Sequence, residues 1–379
     1  LTSSGGRLEF TLEWDEPVDI DRVISDEAGN MINELRITAR DASGNILTEY
    51  VQDECGARRV SAIMRRGVSR LECAYAAAGE FELTGFEVYA TKPERADFGF
   101  AAYLTLDSDI DGDALRQLTD VILIGGSCWN ADGEMQLDGE FYSLRGRISG
   151  DTAVWATIAP AYGLVRRGEA GATIDTKEKR TALIDSIIAF ADEYELAGID
   201  FDWEFPGNDT VWANLSLLIA ELKERRSELL LSAALYPDKA LLTGDGFAAL
   251  DRVNVMTYDQ FDEKGRHANY RIVKDIVRNI EYFSNNPCEV YKLYIGIPSY
   301  GRPLDASKVW NLYNDLAVID GYTNLYGESY FNSSAMAADK AAYSMQAGFG
   351  GVFVFHLSAD KPYVNEFSII RSIADYISF

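Results

Sequence analysis

The sequence predicts an α/β chain in two parts: a small all-β sandwich over residues 1–97, then a closed barrel of eight parallel strands trailed by helices over residues 98–379. Three observations carry this. At 379 residues the chain exceeds one average domain. Its first stretch alternates apolar and polar residues without a helical period. From Phe98 onward, near-continuous apolar runs recur, most of them followed by an amphipathic segment.

In the first part, Leu8, Phe10, Leu12 and Trp14 alternate with Arg7, Glu9, Thr11 and Glu13, the period of a strand with one buried face. A second strand over Leu35–Ala39 runs into Asp41-Ala42-Ser43-Gly44, which is turn chemistry. Phe81–Leu83 and Phe86–Ala90 alternate again. The pattern is loosely similar to the galactose-binding-like modules that accompany carbohydrate enzymes. Thr91-Lys92-Pro93-Glu94-Arg95 reads as the linker.

The second part has apolar runs beginning at Phe98, Val121, Thr152, Ala197, Leu229, Val253, Leu293 and Gly351. Between them lie helical faces. Leu183, Ile184, Ile187, Ile188 and Ala191 mark one, preceded by Asp175 and Glu178 in the spacing of a capping box. Leu215, Leu218, Ile219 and Leu222 mark another; Ile272, Val273, Ile276, Val277 and Ile280 a third; Ile369, Ile370, Ile373 and Ile377 the last. Glu140–Gly150 shows little periodicity. Eight strand–helix units are the count of a (β/α)8 TIM barrel, and no glycine-rich phosphate fingerprint follows the first strand to suggest an open doubly wound sheet.

Composition narrows the function. Hydrophobic residues make up 47% and charged residues 25%, ordinary for a globular chain that builds a core. Against 35 Lys and Arg stand 60 Asp and Glu, a net charge of −25 that repels nucleic acid but not a neutral ligand. No run of ~18 apolar residues is present to span a membrane. The chain opens on Leu1 rather than Met and shows no signal-peptide pattern. Cys55, Cys73, Cys128 and Cys288 match no metal-ligand spacing, and His267 and His356 are the only histidines, so neither metal nor cofactor is expected. Cys55 and Cys73 are near enough in sequence to pair as a disulfide, the alternative being two buried thiols; Cys128 reads as an inert buried thiol.

The most informative segment is Asp200-Phe201-Asp202-Trp203-Glu204. On a strand, alternate side chains share a face, so the three acids point into the barrel while Phe201 and Trp203 face the helices. A barrel built for stability alone would place Val or Ile at those inward positions, because a buried carboxylate costs several kcal/mol unless neutralised or hydrogen-bonded. Neighbours two positions apart lie ~6.6 Å from each other, where like charges repel by roughly 2.5 kcal/mol at an effective dielectric near 20, close to two pKa units. One acid should therefore keep its proton, as a general acid must, while a neighbour stays anionic or shares it. Glu204, nearest the rim and longest in reach, is the expected donor.

Followed by Phe205-Pro206-Gly207, this strand resembles the active-site strand of glycoside hydrolase family 18, whose pattern is Asp-Gly-x-Asp-x-Asp-x-Glu. Met256-Thr257-Tyr258-Asp259 resembles the family's strand-six motif, Gly296-Ile297-Pro298-Ser299-Tyr300-Gly301-Arg302 its strand-seven motif, and Gly350-Gly351-Val352 the opening of its eighth strand. The likeness runs from about Phe98 to the end of the chain. It implies retention assisted by the substrate itself. Glu204 would protonate the glycosidic oxygen, and the 2-acetamido oxygen of the −1 sugar would attack its own anomeric carbon. Asp202 and Tyr258 would orient the acetamido group, Asp200 would support Asp202, and Glu204 would then activate water. The same motifs imply substrate contacts for Met256, Asp259, Tyr300 and Arg302.

There are departures. Ala197 stands for the first Asp of the family pattern, Thr157-Ile158-Ala159-Pro160 for the strand-three Ser-x-Gly-Gly, and Phe355 for the Trp that floors the −1 sugar; Phe can still stack on a sugar face, with less area. The stretch after Arg302 is too short for the small extra domain that walls a deep cleft, so an open groove is expected. Trp129, following the second strand, is placed either as a rim platform for sugar or in the packing. Trp155 and Trp212 read as core, and His356 as a satisfied structural residue.

The resemblance thus implies an enzyme that hydrolyses β-1,4-linked N-acetylglucosamine, in chitin, chito-oligosaccharides or the core of N-glycans, secreted or at the cell surface. A non-catalytic sugar-binding lectin on the same barrel is the rival, although such relatives usually lose the residue equivalent to Glu204.

Overall fold

A computed structural model of the chain describes residues 1–379 except 30, 54–57, 94–96, 106–109, 149–151, 238–240, 261–287, 304, 306–309 and 319. Cys55, His267, the helical face over 272–280 and the end of the linker at 94–95 therefore lie outside the described residues.

The N-terminal part consists of β1 (Arg7–Glu27), β2 (Ile32–Arg40), β3 (Ile46–Gln52), β4 (Arg58–Ala77) and β5 (Leu83–Tyr89). All five join one antiparallel sheet in the order β3-β2-β4-β1-β5. Two of the strands are far longer than the alternating stretches suggest: β1 spans 21 residues and β4, an addition to the strands read from the sequence, spans 20. Their mutual register breaks between Glu13 and Val18, Val18 and Ile20, and Ile20 and Arg22, and bulges of this kind bend a strand. The bend brings Phe10 of β1 edge-on to Phe86 of β5 at 4.9 Å. Leu35, Ile37, Val68, Leu71 and Tyr75 fill the core between. The Asp41 turn forms as expected, its Oδ1 accepting from the Ser43 and Asn45 N–H groups at 2.9 Å each.

The barrel strands are β6 (Gly99–Leu104), β7 (Asp120–Leu123), β8 (Ala153–Pro160), β9 (Gly198–Phe201), β10 (Leu230–Leu235), β11 (Arg252–Val255), β12 (Leu293–Pro298) and β13 (Gly351–Phe355). All eight runs read from the sequence are present. Each pairs in parallel with the next, β13 pairs with β6, and the ring closes. The four longest described helices are α1 (Lys177–Glu193), α2 (Asp209–Arg225), α3 (Ser334–Ala347) and α4 (Ile369–Ser378). Their apolar faces are buried against the strands, among them Leu183, Ile187, Leu218, Leu222, Ile369 and Ile373. Gly139–Arg147 also forms a helix, started by Asp138 accepting from Glu140 N, where periodicity offered little.

Several expectations change. Thr176, not Asp175, caps α1: its hydroxyl accepts from Lys179 N at 3.3 Å, because the helix starts one residue later than the capping-box spacing implies. Cys73 is a free thiol, buried and pushed up to about 12, so the Cys55–Cys73 bridge does not form. Cys128 is only half-buried. From Tyr300 onward the chain makes short antiparallel ribbons, Tyr300–Pro303, Asn311–Leu312, Leu325–Tyr326 and Ser329–Tyr330, before α3 begins.

At the N-terminal end of the barrel, Arg252 pairs with Asp120 at 2.7 Å and lies 4.1 Å from the Trp155 ring. Trp155 fits there because Gly198 faces it; a Cβ on that glycine would meet the indole at 2.3 Å. The N-terminal sheet packs on α3. Asp339 of that helix accepts from Tyr50 OH at 2.5 Å, Gln52 Nε2 at 3.2 Å and Ala62 N at 2.8 Å, while Ile24, Val60 and Ala62 join the barrel's apolar cluster. Among the described residues no helix is long and apolar enough to cross a membrane.

Candidate active site

The acids of β9 climb the barrel interior towards its C-terminal mouth. Asp200, the lowest, has no solvent exposure. Three strands supply donors to it: Ser232 Oγ of β10 at 2.5 Å, Asn254 Nδ2 of β11 at 3.0 Å and Tyr103 OH of β6 at 2.8 Å. Burial pushes the Asp200 carboxyl up, while Ser232, Tyr103, Arg252 and Asn254 draw it back down without cancelling the rise.

Above it the strand ends at Phe201, and Asp202 N donates to Ile158 O at 3.1 Å, holding the emerging chain beside β8. Phe201 and Trp203 point outwards and are buried under the helices, as their parity predicts. Asp202 and Glu204 point inwards and are half-buried. The Asp202 carboxyl is pushed up to about 8, first by burial and then by the charges of Asp200 and Glu204. The crowding expected from the sequence holds a proton on Asp202, directly beneath the Glu204 that was expected to keep it, because burial adds to the two neighbouring charges at Asp202.

Asp202 and Glu204 share a cavity of about 120 Å³ with Tyr103, Tyr236, Met256, Tyr258, Asp259, Trp310 and Phe355. Tyr258 is buried, and its hydroxyl is held well above the usual phenol range by burial and then by Asp202, so it stays a neutral donor. Its ring lies 5.6 Å from Phe355 at 30°. Asp259 adopts a left-handed backbone, φ +58°, a strained conformation for a residue with a Cβ. That turn directs its carboxylate to Tyr300 OH at 2.8 Å and Arg302 Nη1 at 2.7 Å.

Of the residues singled out from sequence, Glu204, Asp202, Tyr258, Met256, Asp259 and Phe355 meet in this cavity. Asp200 lies one layer below. Tyr300 and Arg302 reach it through Asp259, and Tyr300 itself is 1% exposed. Trp129 does not belong to the site. It has no solvent exposure, donates from Nε1 to Thr173 Oγ1 at 2.9 Å and packs edge-on to Trp203 at 5.9 Å, leaving no face for a sugar. Trp155, Trp212 and His356 are buried. The residues sequence reasoning missed are Tyr103, Ser232, Asn254, Tyr236 and Trp310. The first three are polar residues at inward positions of otherwise apolar strands, a readable signal; Trp310 lies in a connection with no pattern around it.

A closed parallel barrel whose mouth holds stacked acids, one protonated and one beneath it hydrogen-bonded by three strands, is the scaffold of a glycoside hydrolase. Comparison with known proteins agrees: the family described as Glycosyl hydrolases family 18 matches residues 170–360, and the chain belongs to that family. A class V chitinase from Lotus japonicus is 31% identical over 155 residues, 34% of this chain and 38% of that relative, so the matched stretch spans little more than a third of the relative's length. Among solved structures, a family 18 chitinase from Flavobacterium johnsoniae superimposes with a TM-score of 0.61 at 20% identity, covering 76% of this chain and 95% of its own. A class V chitinase mutant from Nicotiana tobaccum in complex with NAG4 gives 0.60 at 20% identity, covering 74% and 99%. At such identities the likeness is one of fold.

Proposed function

We propose that this chain hydrolyses β-1,4-linked N-acetylglucosamine chains, chitin or chito-oligosaccharides, with retention of configuration and with the substrate's own acetamido group as the nucleophile. One observation carries the reading: Asp200, Asp202 and Glu204 rise in file into the cavity that Tyr258 walls. Such a site offers a proton just beneath its rim, within reach of Glu204, and a neutral phenol donor beside a carboxyl, which suits an acetamido group turned inwards.

In this reading Glu204 protonates the glycosidic oxygen as the bond to the anomeric carbon breaks. The proton it gives comes up from Asp202, so the acetamido oxygen closes on that carbon against an anionic Asp202, and Glu204 is left as a carboxylate. Asp200, kept in place by Ser232, Asn254 and Tyr103, accepts the electrostatic burden below. Glu204 then takes a proton from water, which opens the ring. Residues 1–97 act as a β module docked on α3 of the barrel that spans 98–379, and the polymeric substrate places the protein outside the cell or on its surface.

Glu204→Gln tests this. Turnover of an N-acetylglucosamine hexamer should fall by three or more orders of magnitude while binding persists. Full activity in that variant would end the assignment. A parallel incubation with a glycoprotein separates action on chitin oligomers from action on N-glycan cores, and binding without product in the unaltered chain would indicate a lectin.

A further inference from the structure

We propose that Asn324 is a positioning residue through which the N-terminal sheet holds one wall of the catalytic cavity in place, so that residues 1–97 take part in turnover. The proposal rests on the functional reading above and assigns the module a part in it.

Asn324 has no solvent exposure, and its amide joins three elements. Its Nδ2 donates to Gln52 Oε1, at the end of β3, and to Asp53 Oδ1 just beyond, at 2.9 Å each. Its Oδ1 accepts from Ser333 N at 3.1 Å, and Ser333 in turn caps α3 by accepting from Met336 N. The orientation of the amide is fixed by chemistry, because the Asp53 carboxylate only accepts and the Ser333 N–H only donates. Both side-chain donors therefore go to the N-terminal part, although Asn324 itself belongs to the barrel's connection before α3. Gln52 is held in its turn, donating Nε2 to Asp339 of α3 at 3.2 Å.

Directly after Asn324 the chain enters the ribbon. Leu325 pairs with Tyr330, and Tyr330 pairs on its other side with Arg302. Phe331 donates its N–H back to Asn324 O at 2.9 Å, which closes the ribbon onto the anchor. From Arg302 the remaining step is one side chain long. Its Nη1 meets Asp259 Oδ1 at 2.7 Å, and Tyr300 on the same strand donates to that oxygen at 2.8 Å. Asp259 lines the cavity with Asp202, Glu204 and Tyr258, and its left-handed backbone persists only where neighbours impose it.

Strands of two residues, such as Leu325–Tyr326 and Ser329–Tyr330, carry too few ladder bonds to fix their own position. One end of this ribbon grips Asp259, and the other is tied by Asn324 to a five-stranded sheet. With that tie cut, Arg302 and Tyr300 lose a fixed base, and the Asp259 turn beside Tyr258 loosens with them. A side chain that orients a reacting group needs such support behind it.

The test follows hydrolysis of an N-acetylglucosamine hexamer by Asn324→Ala, Arg302→Ala and the double variant, at a temperature where circular dichroism shows each to be folded. Asn324→Ala should lower kcat about tenfold with KM within about twofold, the split expected when an interaction made in the transition state is lost. Added to Arg302→Ala it should cause no further loss, since it acts through Arg302; independent damage would multiply the two effects. Asp53→Ala, altered at an exposed position, should give a smaller fall of the same kind and serves if Asn324→Ala does not fold. Asp53→Asn, which keeps an acceptor oxygen, should retain activity. Gln346→Ala removes a different tie between the two parts, that of Arg22 to α3, and should lower the melting temperature while leaving kcat unchanged. Trp310, stacked on Tyr300 at 4.5 Å, reports on the wall without turnover. Acrylamide quenching of its fluorescence, taken as the difference from Trp310→Phe, should change in Asn324→Ala. An unaltered kcat in Asn324→Ala and Asp53→Ala, multiplied losses in the double variant, or an equal fall in Gln346→Ala would overturn the proposal. Should the unaltered chain cleave no oligomer, the hydrolase reading fails, and the quenching alone decides whether Asn324 sets the wall.

Discussion

Gly296 stands so close to Tyr258 that a Cβ on it would lie 2.6 Å from Tyr258 Cε1 and 2.7 Å from Phe353 Cζ. The absence of a side chain at Gly296 of β12 is what leaves room for the phenol that follows the neighbouring strand. The Gly-Ile-Pro-Ser-Tyr motif therefore serves the site partly through a missing methyl group.

Gly296→Ala should displace Tyr258 and lower kcat/KM on chito-oligosaccharides at least tenfold, with a melting temperature reduced by a few degrees, since overpacking a closed core costs ~1–3 kcal/mol. Steady-state kinetics alongside thermal unfolding would check this; unaltered kinetics would mean the ring has room to spare.

Asp202 keeps its proton up to about pH 8, through burial and the charges of Asp200 and Glu204. The pair Asp202–Glu204 should therefore give kcat/KM an alkaline limb near pH 8, as the proton needed for leaving-group departure is lost. Asp200→Asn removes one of the charges that raise Asp202. The limb should then move to lower pH in a pH–rate profile, and a limb that stays in place would show that Asp200 does not act on Asp202.

Ser232 is the closest donor to the fully buried Asp200. Ser232→Ala leaves that oxygen with Asn254 alone, and an unmet buried polar group costs ~1–3 kcal/mol. Urea unfolding should show a loss of that size together with lower activity, and Ser232→Thr should recover part of it.

Asp339 joins the N-terminal sheet to α3 and is pushed up to about 7 by burial, against the lowering effect of its donors. Between the ordinary carboxylate range and pH 7 the folded chain holds a proton there that the unfolded chain has released. This contribution to stability therefore falls as pH rises through that window, and is constant above it. Asp339→Asn abolishes the titration, so its stability relative to the unaltered chain should improve from pH 5 to pH 8. Chemical unfolding at both pH values would reveal the trend, and a difference independent of pH would contradict it.

Much of this molecule is legible in one dimension, and the reason is parity. Alternation along Asp200–Glu204 assigns the acids to the interior and Phe201 and Trp203 to the helix side, and the structure keeps that alternation for three residues past the strand's end at Phe201. The same rule applied to Tyr103, Ser232 and Asn254 would have found the donors around Asp200. It has no force where the backbone leaves regular geometry. Trp310 lies in a connection and stands open on Tyr300, while Trp129, on the short strand Ser127–Trp129, is sealed by Thr173 and Trp203, contacts that no local pattern announces. Likewise the helix start moves from Asp175 to Thr176, and β1 continues through three breaks of register, because caps and bulges answer to tertiary neighbours.

By itself, the sequence determined the eight-unit barrel and the file of carboxyls, since both follow from short-range periodicity and residue type, while Tyr258 was legible only through the resemblance of its motif. Only the tertiary structure decided which carboxyl holds the proton, which tryptophan faces the cavity and how the N-terminal sheet seats on α3. Those outcomes depend on desolvation and on contacts between residues scores to hundreds of positions apart, and such terms exist only once the chain has closed around them.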